Sequence, residues 1–264
     1  MRPRMSRVQR PLRLSMAGLS GLLLLFLALP IGVILLNTSP ALLYETLLDR
    51  QVMGSIQVTF ASALVALALG LVTGVPLAYV MTRHSFPGKR LIEGLLGLPV
   101  IIPHTSAGVA LLLTYGARGP VGGPLARLGV YMTDRPAGIV LAMLFVGVPF
   151  LVVTAREAIA GIDIDLEHAA LVDGATGWQV FTLVTLPLAR RGIVAGALLM
   201  WARGISEFGA VVLLAYHPRT LAVLIFERFQ GFGLAHATPL AALLMLLAIV
   251  VFVLLGALTR REGE

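Results

Sequence analysis

Apolar residues fill the chain in long unbroken runs, and polar residues collect where those runs end. Leu14 to Leu36 passes without a charge. A helix of that length rises roughly 35 Å at about 1.5 Å per residue, enough to cross the hydrocarbon core of a bilayer. Further runs cover 52–82, 91–115, 137–155, 192–214 and 237–258. The pattern predicts an all-α integral membrane protein with six transmembrane helices at about those positions. A cleaved signal peptide would have a shorter apolar region followed by a small-x-small site, so the first run is expected to stay as a span. Glu45 to Gln51 reads as a short polar loop, and residues 116–136, rich in Gly and Pro, as a longer one. Residues 215–235 form another loop, with an amphipathic stretch around Leu221, Leu224, Ile225 and Phe229. Gly70 and Gly74 are spaced for close helix packing.

Two runs carry polar interruptions. In the third, Pro99 and Pro103 bracket Val100-Ile101-Ile102, and His104 and Thr105 follow. Proline within a span frees backbone carbonyls that lipid cannot satisfy, so this stretch is expected to face other helices or a watery cavity. The fifth run contains Arg203, Ser206 and Glu207. Arg203 and Glu207 are four apart, hence on one face if the helix is continuous. Burying the two together requires pairing or water, and two readings stay open: a structural ion pair, or a pair lining a translocation path.

Residues 157–191 are the one long polar segment with helix signals. Asp163 is placed to cap a helix whose first turn holds Asp165 and Glu167. Asp173-Gly174 ends it, and Thr176-Gly177-Trp178-Gln179 has the form of a capping box opening a second helix. Pro187 disturbs that second helix near its end. The segment therefore reads as helix, tight turn, helix between the fourth and fifth spans.

Composition supports the membrane reading. Of 264 residues, 58% are hydrophobic and 12% charged, with mean hydropathy +0.94; a soluble domain carries about twice that charge. The net charge of +7 would fit nucleic acid, but the basic residues sit at the ends of apolar runs, so topology explains them and no nucleic-acid partner is expected. With the N terminus in the cytoplasm, Lys and Arg number 13 on the inner side (2, 4, 7, 10, 13, 83, 89, 90, 156, 190, 191, 260 and 261) against 6 outside. That bias places both termini and the hairpin in the cytoplasm. The absence of cysteine excludes disulfides and thiolate sites. The five histidines show no metal spacing, so no metal and no cofactor are expected. Gly88-Lys89 lacks the rest of a phosphate-cradling loop, so ATP hydrolysis, if used, belongs to another chain and this one is not an enzyme. No internal repeat or second-domain linker interrupts residues 1–264, which are expected to form one transmembrane domain.

The hairpin resembles the signature of permease subunits of ATP-binding-cassette importers. Ala169, Ala170, Gly174, Val184, Leu186 and Pro187 fall at the family's spacing. The signature's glutamate falls on His168, with Glu167 one residue earlier. The resemblance implies a type I importer permease whose hairpin, with Glu167, His168, Ala169, Ala170, Asp173, Gly174 and Pro187, docks a separate ATPase. Residues 98–105 and 205–210, with 216–234, are similar to the molybdate/tungstate permease group; in such a permease the polar breaks within the spans, Pro103, His104, Thr105, Arg203, Ser206 and Glu207, are expected on the translocation path or gate. It further implies a homodimer in the inner membrane lipid, two ATPase copies and an external oxyanion-binding protein that sets selectivity. Sulfate and thiosulfate permeases share much of these segments and are the alternative. An ion-coupled secondary transporter would show inverted repeats, and a membrane enzyme a convergent catalytic set; neither is seen.

Overall fold

The computed structural model describes residues 9–261, so the arginines at 2, 4 and 7 used in the charge count lie outside the described residues. The chain forms thirteen α-helices among those residues: α1 (Gln9–Leu36), α2 (Pro40–Leu48), α3 (Arg50–Arg83), α4 (Lys89–Ile101), α5 (His104–Tyr115), α6 (Gly122–Arg127), α7 (Pro136–Ala160), α8 (Ile164–Val172), α9 (Gly177–Val180), α10 (Leu186–Ile205), α11 (Gly209–Leu214), α12 (Leu221–Phe232) and α13 (Leu234–Arg261). A π-helical turn, Phe181–Thr185, joins α9 to α10.

Among the described residues five helices are long and apolar enough to cross a membrane: Leu14–Leu36, Arg50–Arg83, Pro136–Ala160, the continuous run Gly177–Ile205, and Leu234–Val251. A sixth crossing exists if α4 and α5 count together, but they are bent by 118°. The third span is thus two half-helices rather than one kinked helix. Proline explains the break. Ile102 is extended (φ −72, ψ 146), as a residue before proline prefers, and Pro103 supplies no N–H to continue the ladder.

Three other expectations are corrected. Glu45–Leu48 lies within helix α2, which Ser39 caps by accepting from the Leu42 N–H and Pro40 opens at a position needing no donor. Asp49 then caps α3 through the Gln51 N–H, leaving no loop between them. The fifth span starts within the hairpin and ends at Ile205, not Leu214, because residues 206–208 step out of the helix before α11. The amphipathic stretch after residue 215 is helix α12, with Leu221 and Leu224 fully buried against Val52, Leu240 and Leu243. Its first N–H is tied to α3: Leu221 donates to Thr59 Oγ1 at 2.8 Å.

Helix α7 is the centre of the packing, with α3 and α10 along its sides. Small residues let the backbones approach. A methyl group on Gly70 would meet Met200 Sδ at 2.6 Å, and one on Gly74 would meet Val152 Cγ2 at 3.1 Å. The spacing of that glycine pair therefore serves helix contact. Leu151, Val152, Ala155 and Ile159 of α7 are buried there with Ile193 and Met200 of α10. By contrast α1 is exposed all round, with Leu22, Leu24 and Phe26 each more than half exposed; lipid is the solvent for such a surface.

Candidate functional site

Two constellations gather the polar residues singled out by sequence. The first is the hairpin. Asp163 Oδ1 accepts from the Asp165 N–H at 3.1 Å and opens α8. At the other end Gly174 adopts φ +92, and two bonds close the turn: Gly174 N–H to Leu171 O and Ala175 N–H to Ala170 O, both 3.0 Å. Such a left-handed cap is nearly free only for glycine. Thr176 and Gln179 then bond reciprocally to open α9, as the capping box predicts. Pro187 sits in the first turn of α10, where no N–H is needed, and the π turn before it absorbs the register change. So Pro187 does not end the second helix; the helix runs on into the fifth span.

Glu167 is the buried anchor of the hairpin, 5% exposed. Its Oε1 accepts from Arg83 Nε at 3.0 Å and from Thr185 Oγ1 at 2.8 Å. Arg83 also donates to the Ile162 carbonyl at 3.1 Å, so the last residue of α3 grips both the entry to the hairpin and its first helix. His168 points outward, its ring 3.9 Å from Asp165. The substitution at the signature position therefore leaves the buried tie untouched. Ala169 and Asp173 are exposed, Ala170 half-buried and Pro187 exposed. Around them Ile164, Leu166, Leu171, Val172 and Trp178 are exposed, Val172 at 86%. So many exposed apolar side chains on a polar connecting segment suit contact with another protein. Arg83 and Thr185 were missed by sequence reading. The available signal was an arginine closing an apolar helix with a buried carboxylate in need of a partner.

The second constellation lies where the third and fifth spans break. Arg203, in the last turn of α10, donates to Glu207 Oε2 at 2.7 Å, to Ser206 Oγ at 3.2 Å and to the His104 ring at 2.6 Å. Arginine has no acceptor, so the ring nitrogen facing it accepts. Glu207 is not on the helix with Arg203; it lies in the step after α10, and the pair closes across that step. Its other oxygen accepts the Ala210 N–H at 2.8 Å and so caps α11. The Glu207 side chain is 1% exposed, against 21% for Arg203 and 40% for His104. Pro103 forms the bend, and Thr105, exposed, follows His104. A methyl on Gly209 would stand 2.7 Å from His104 Cβ, so α5 and α11 meet at near-contact here. All six residues assigned to the path thus collect at one place, with both helix breaks.

Further ion pairs brace the ends of the bundle. Glu93 of α4 accepts from Arg156 of α7 at 2.9 Å. Arg219 pairs with Glu227, and Arg228 with Asp49 at 2.8 Å. Burial alone would raise the Asp49 carboxyl, but the Gln51 N–H and the Arg228 guanidinium outweigh it and hold it below its ordinary value. Among the described residues no group of three or more His, Asp or Glu is placed to hold a metal ion.

Comparison with known proteins agrees with this architecture. Residues 28–263 match the family described as binding-protein-dependent transport system inner membrane component. The molybdate/tungstate transport system permease protein WtpB of Pyrococcus furiosus is 38% identical over 247 residues, 93% of this chain and 94% of that one. The sulfate transport system permease protein CysT of Escherichia coli is 31% identical over 247 residues, 91% of this chain and 89% of that one. Among solved structures, a bacterial ABC transporter involved in the import of the acidic polysaccharide alginate superposes with a TM-score of 0.76 at 21% identity, covering 97% of this chain and 98% of that one; at that identity the likeness concerns the fold. The chain belongs to the family of binding-protein-dependent transport system inner membrane components, as a multi-pass, non-catalytic permease subunit of an ABC importer.

Proposed function

We propose that this permease imports molybdate and tungstate, working as a single transmembrane domain in a homodimer with two ATPase subunits and an external binding protein. Identity of 38% along nearly the whole length of a molybdate/tungstate permease carries the substrate class. Coupling runs through the hairpin 163–187. Its exposed apolar surface on α8 is the docking face, and the buried Glu167–Arg83–Thr185 tie passes displacement of that face to α3 and to the start of the fifth span. The excess of Lys and Arg puts hairpin and termini on the cytoplasmic side, where ATPases reside. The break holding Pro103, His104, Thr105, Arg203, Ser206 and Glu207 lines the path.

The experiment is uptake of labelled molybdate, tungstate and sulfate in cells lacking other carriers, with ATPase and binding protein co-expressed, with and without energy depletion. Energy-dependent molybdate or tungstate uptake, little affected by excess sulfate, is the expected result. The 31% identity to a sulfate permease supports a second reading, sulfate import by the same architecture. Uptake dominated by sulfate would establish that reading in place of the first.

A further inference from the structure

We propose that the exposed rim of the His104–Arg203–Glu207 cluster is a transient anion contact inside the translocation path, with Arg203 as the group that meets a tetrahedral oxyanion. The inference rests on the oxyanion-import reading. A carboxylate so close to Arg203 looks at first like an obstacle to anions. The geometry removes it. Glu207 is buried, and both its oxygens are engaged, one by Arg203 and one by the Ala210 N–H. Its charge therefore lies behind the guanidinium and orients it. The other terminal nitrogen of Arg203 bonds the exposed Ser206 hydroxyl at 3.2 Å, and that hydroxyl in turn donates to the Arg203 carbonyl at 3.1 Å. The exposed hydroxyls of Thr105 and Ser106 lie on the adjoining first turn of α5. Donors thus occupy the open side of the cluster and the carboxylate its closed side.

Position gives this arrangement its use. The 13 residues of α4 rise about 19 Å from Lys89 to the bend, so the cluster lies deep between the two polar boundaries. Among the described residues, Arg190 and Arg191 lie nearer the hairpin on the same helical run, Arg228 lies in α12, and the other Lys and Arg sit in loops or near helix ends. A doubly charged anion reaching this break meets the Arg203 guanidinium, whose Nη1 offers it a charge-assisted hydrogen bond while Nη2 stays on Glu207 and His104. The Ser206 bond is weak enough to exchange, so the contact passes the anion on rather than holding it.

The test uses the complete importer, with ATPase and binding protein, in liposomes, with labelled molybdate, tungstate and sulfate as probes. Ser206→Asp places a carboxylate on the free side of Arg203 without touching Glu207. It should lower oxyanion uptake about tenfold or more, while membrane level and binding-protein-stimulated ATP hydrolysis stay within about twofold. Ser206→Asn, which adds no charge, should lower uptake much less than Ser206→Asp. Arg203→Lys, which keeps the charge and loses the fork, should lower uptake per ATP hydrolysed. Wild-type uptake in Ser206→Asp would overturn the contact and leave the import reading standing. Loss of membrane level in parallel with uptake in Ser206→Asp and Arg203→Lys would make the cluster a structural tie and also overturn it. A wild-type importer that carries none of the three anions would overturn the import reading, and the contact with it.

Discussion

The Glu167 carboxylate and the Arg83 guanidinium, 84 residues apart in sequence, meet at 3.0 Å with side chains only 6% and 10% exposed. Truncating one member of so buried a pair strands the other charge, which costs on the order of 3–5 kcal/mol. Glu167→Ala should therefore lower the amount of folded permease in the membrane and release the hairpin, seen as faster hydrogen exchange in α8. Glu167→Gln keeps an acceptor for Thr185 and should be milder. Equal exchange in wild type and Glu167→Ala would show that the tie does not hold the hairpin.

Gly174 separates backbone strain from surface blockage. A methyl group there meets nothing within 4 Å, so Gly174→Ala carries only the left-handed backbone penalty, about 1–2 kcal/mol. It should lower α8 stability slightly and leave uptake close to wild type. Gly174→Trp adds bulk on the docking side of the turn. It should abolish uptake while the protein stays in the membrane, measured by transport and by co-purification of the ATPase.

Arg203→Leu leaves Glu207 buried without its cation. The expected result is a clear loss of thermal stability and membrane level, of order 3–5 kcal/mol if the carboxylate stays charged. Adding Glu207→Gln removes the stranded charge and should restore much of the stability. A double variant no better than the single one would mean that Arg203 acts through packing instead.

The meeting of α5 and α11 is open to a steric test. Gly209→Ala sets a methyl 2.7 Å from His104 Cβ and 3.1 Å from its backbone carbon, so the two half-helices must separate. Uptake and thermal stability should both fall. Gly97→Ala, with nothing within 4 Å, is the matched control and should change neither.

Acid should loosen α12. Asp49 is held below its ordinary value of 3.8, so its bond to Arg228 contributes fully above that value and is lost as pH falls through the lower folded-state pKa. Hydrogen exchange of α12, corrected for intrinsic rates, should rise at about pH 3 relative to about pH 6. Asp49→Asn should remove that dependence.

Much of this was legible because the bilayer imposes long apolar runs and because helix caps have local signatures. Asp163, Gly174 and the Thr176–Gln179 box each act within four residues, so sequence placed them correctly. The bend at Ile102–Pro103 was visible as a disturbance, but its 118° angle depends on what α4 and α5 pack against. The end of the fifth span was misplaced because the apolar run resumes at Phe208 and continues to Leu214, so the polar Ser206-Glu207 step read as an interruption within one span. Only the buried Glu207, turned back to cap α11, shows why the chain steps out there. The partners of Glu167, Glu93, Arg219 and Arg228 were beyond reach for another reason: three of the four pairs join residues from different helices far apart in sequence, and no local pattern encodes them.

The hairpin's second helix and the fifth span form one helical run from Gly177 to Ile205. Its 29 residues make a beam about 43 Å long, with the capping box at one end and Arg203 near the other. Tilting that beam by about 10° about its hairpin end would sweep the far end through about 7 Å, more than the width of a tetrahedral oxyanion. On the proposed coupling, a small push at the hairpin and a wide opening at the helix break become the two ends of a single lever, with the π turn at Phe181–Thr185 beside its fulcrum.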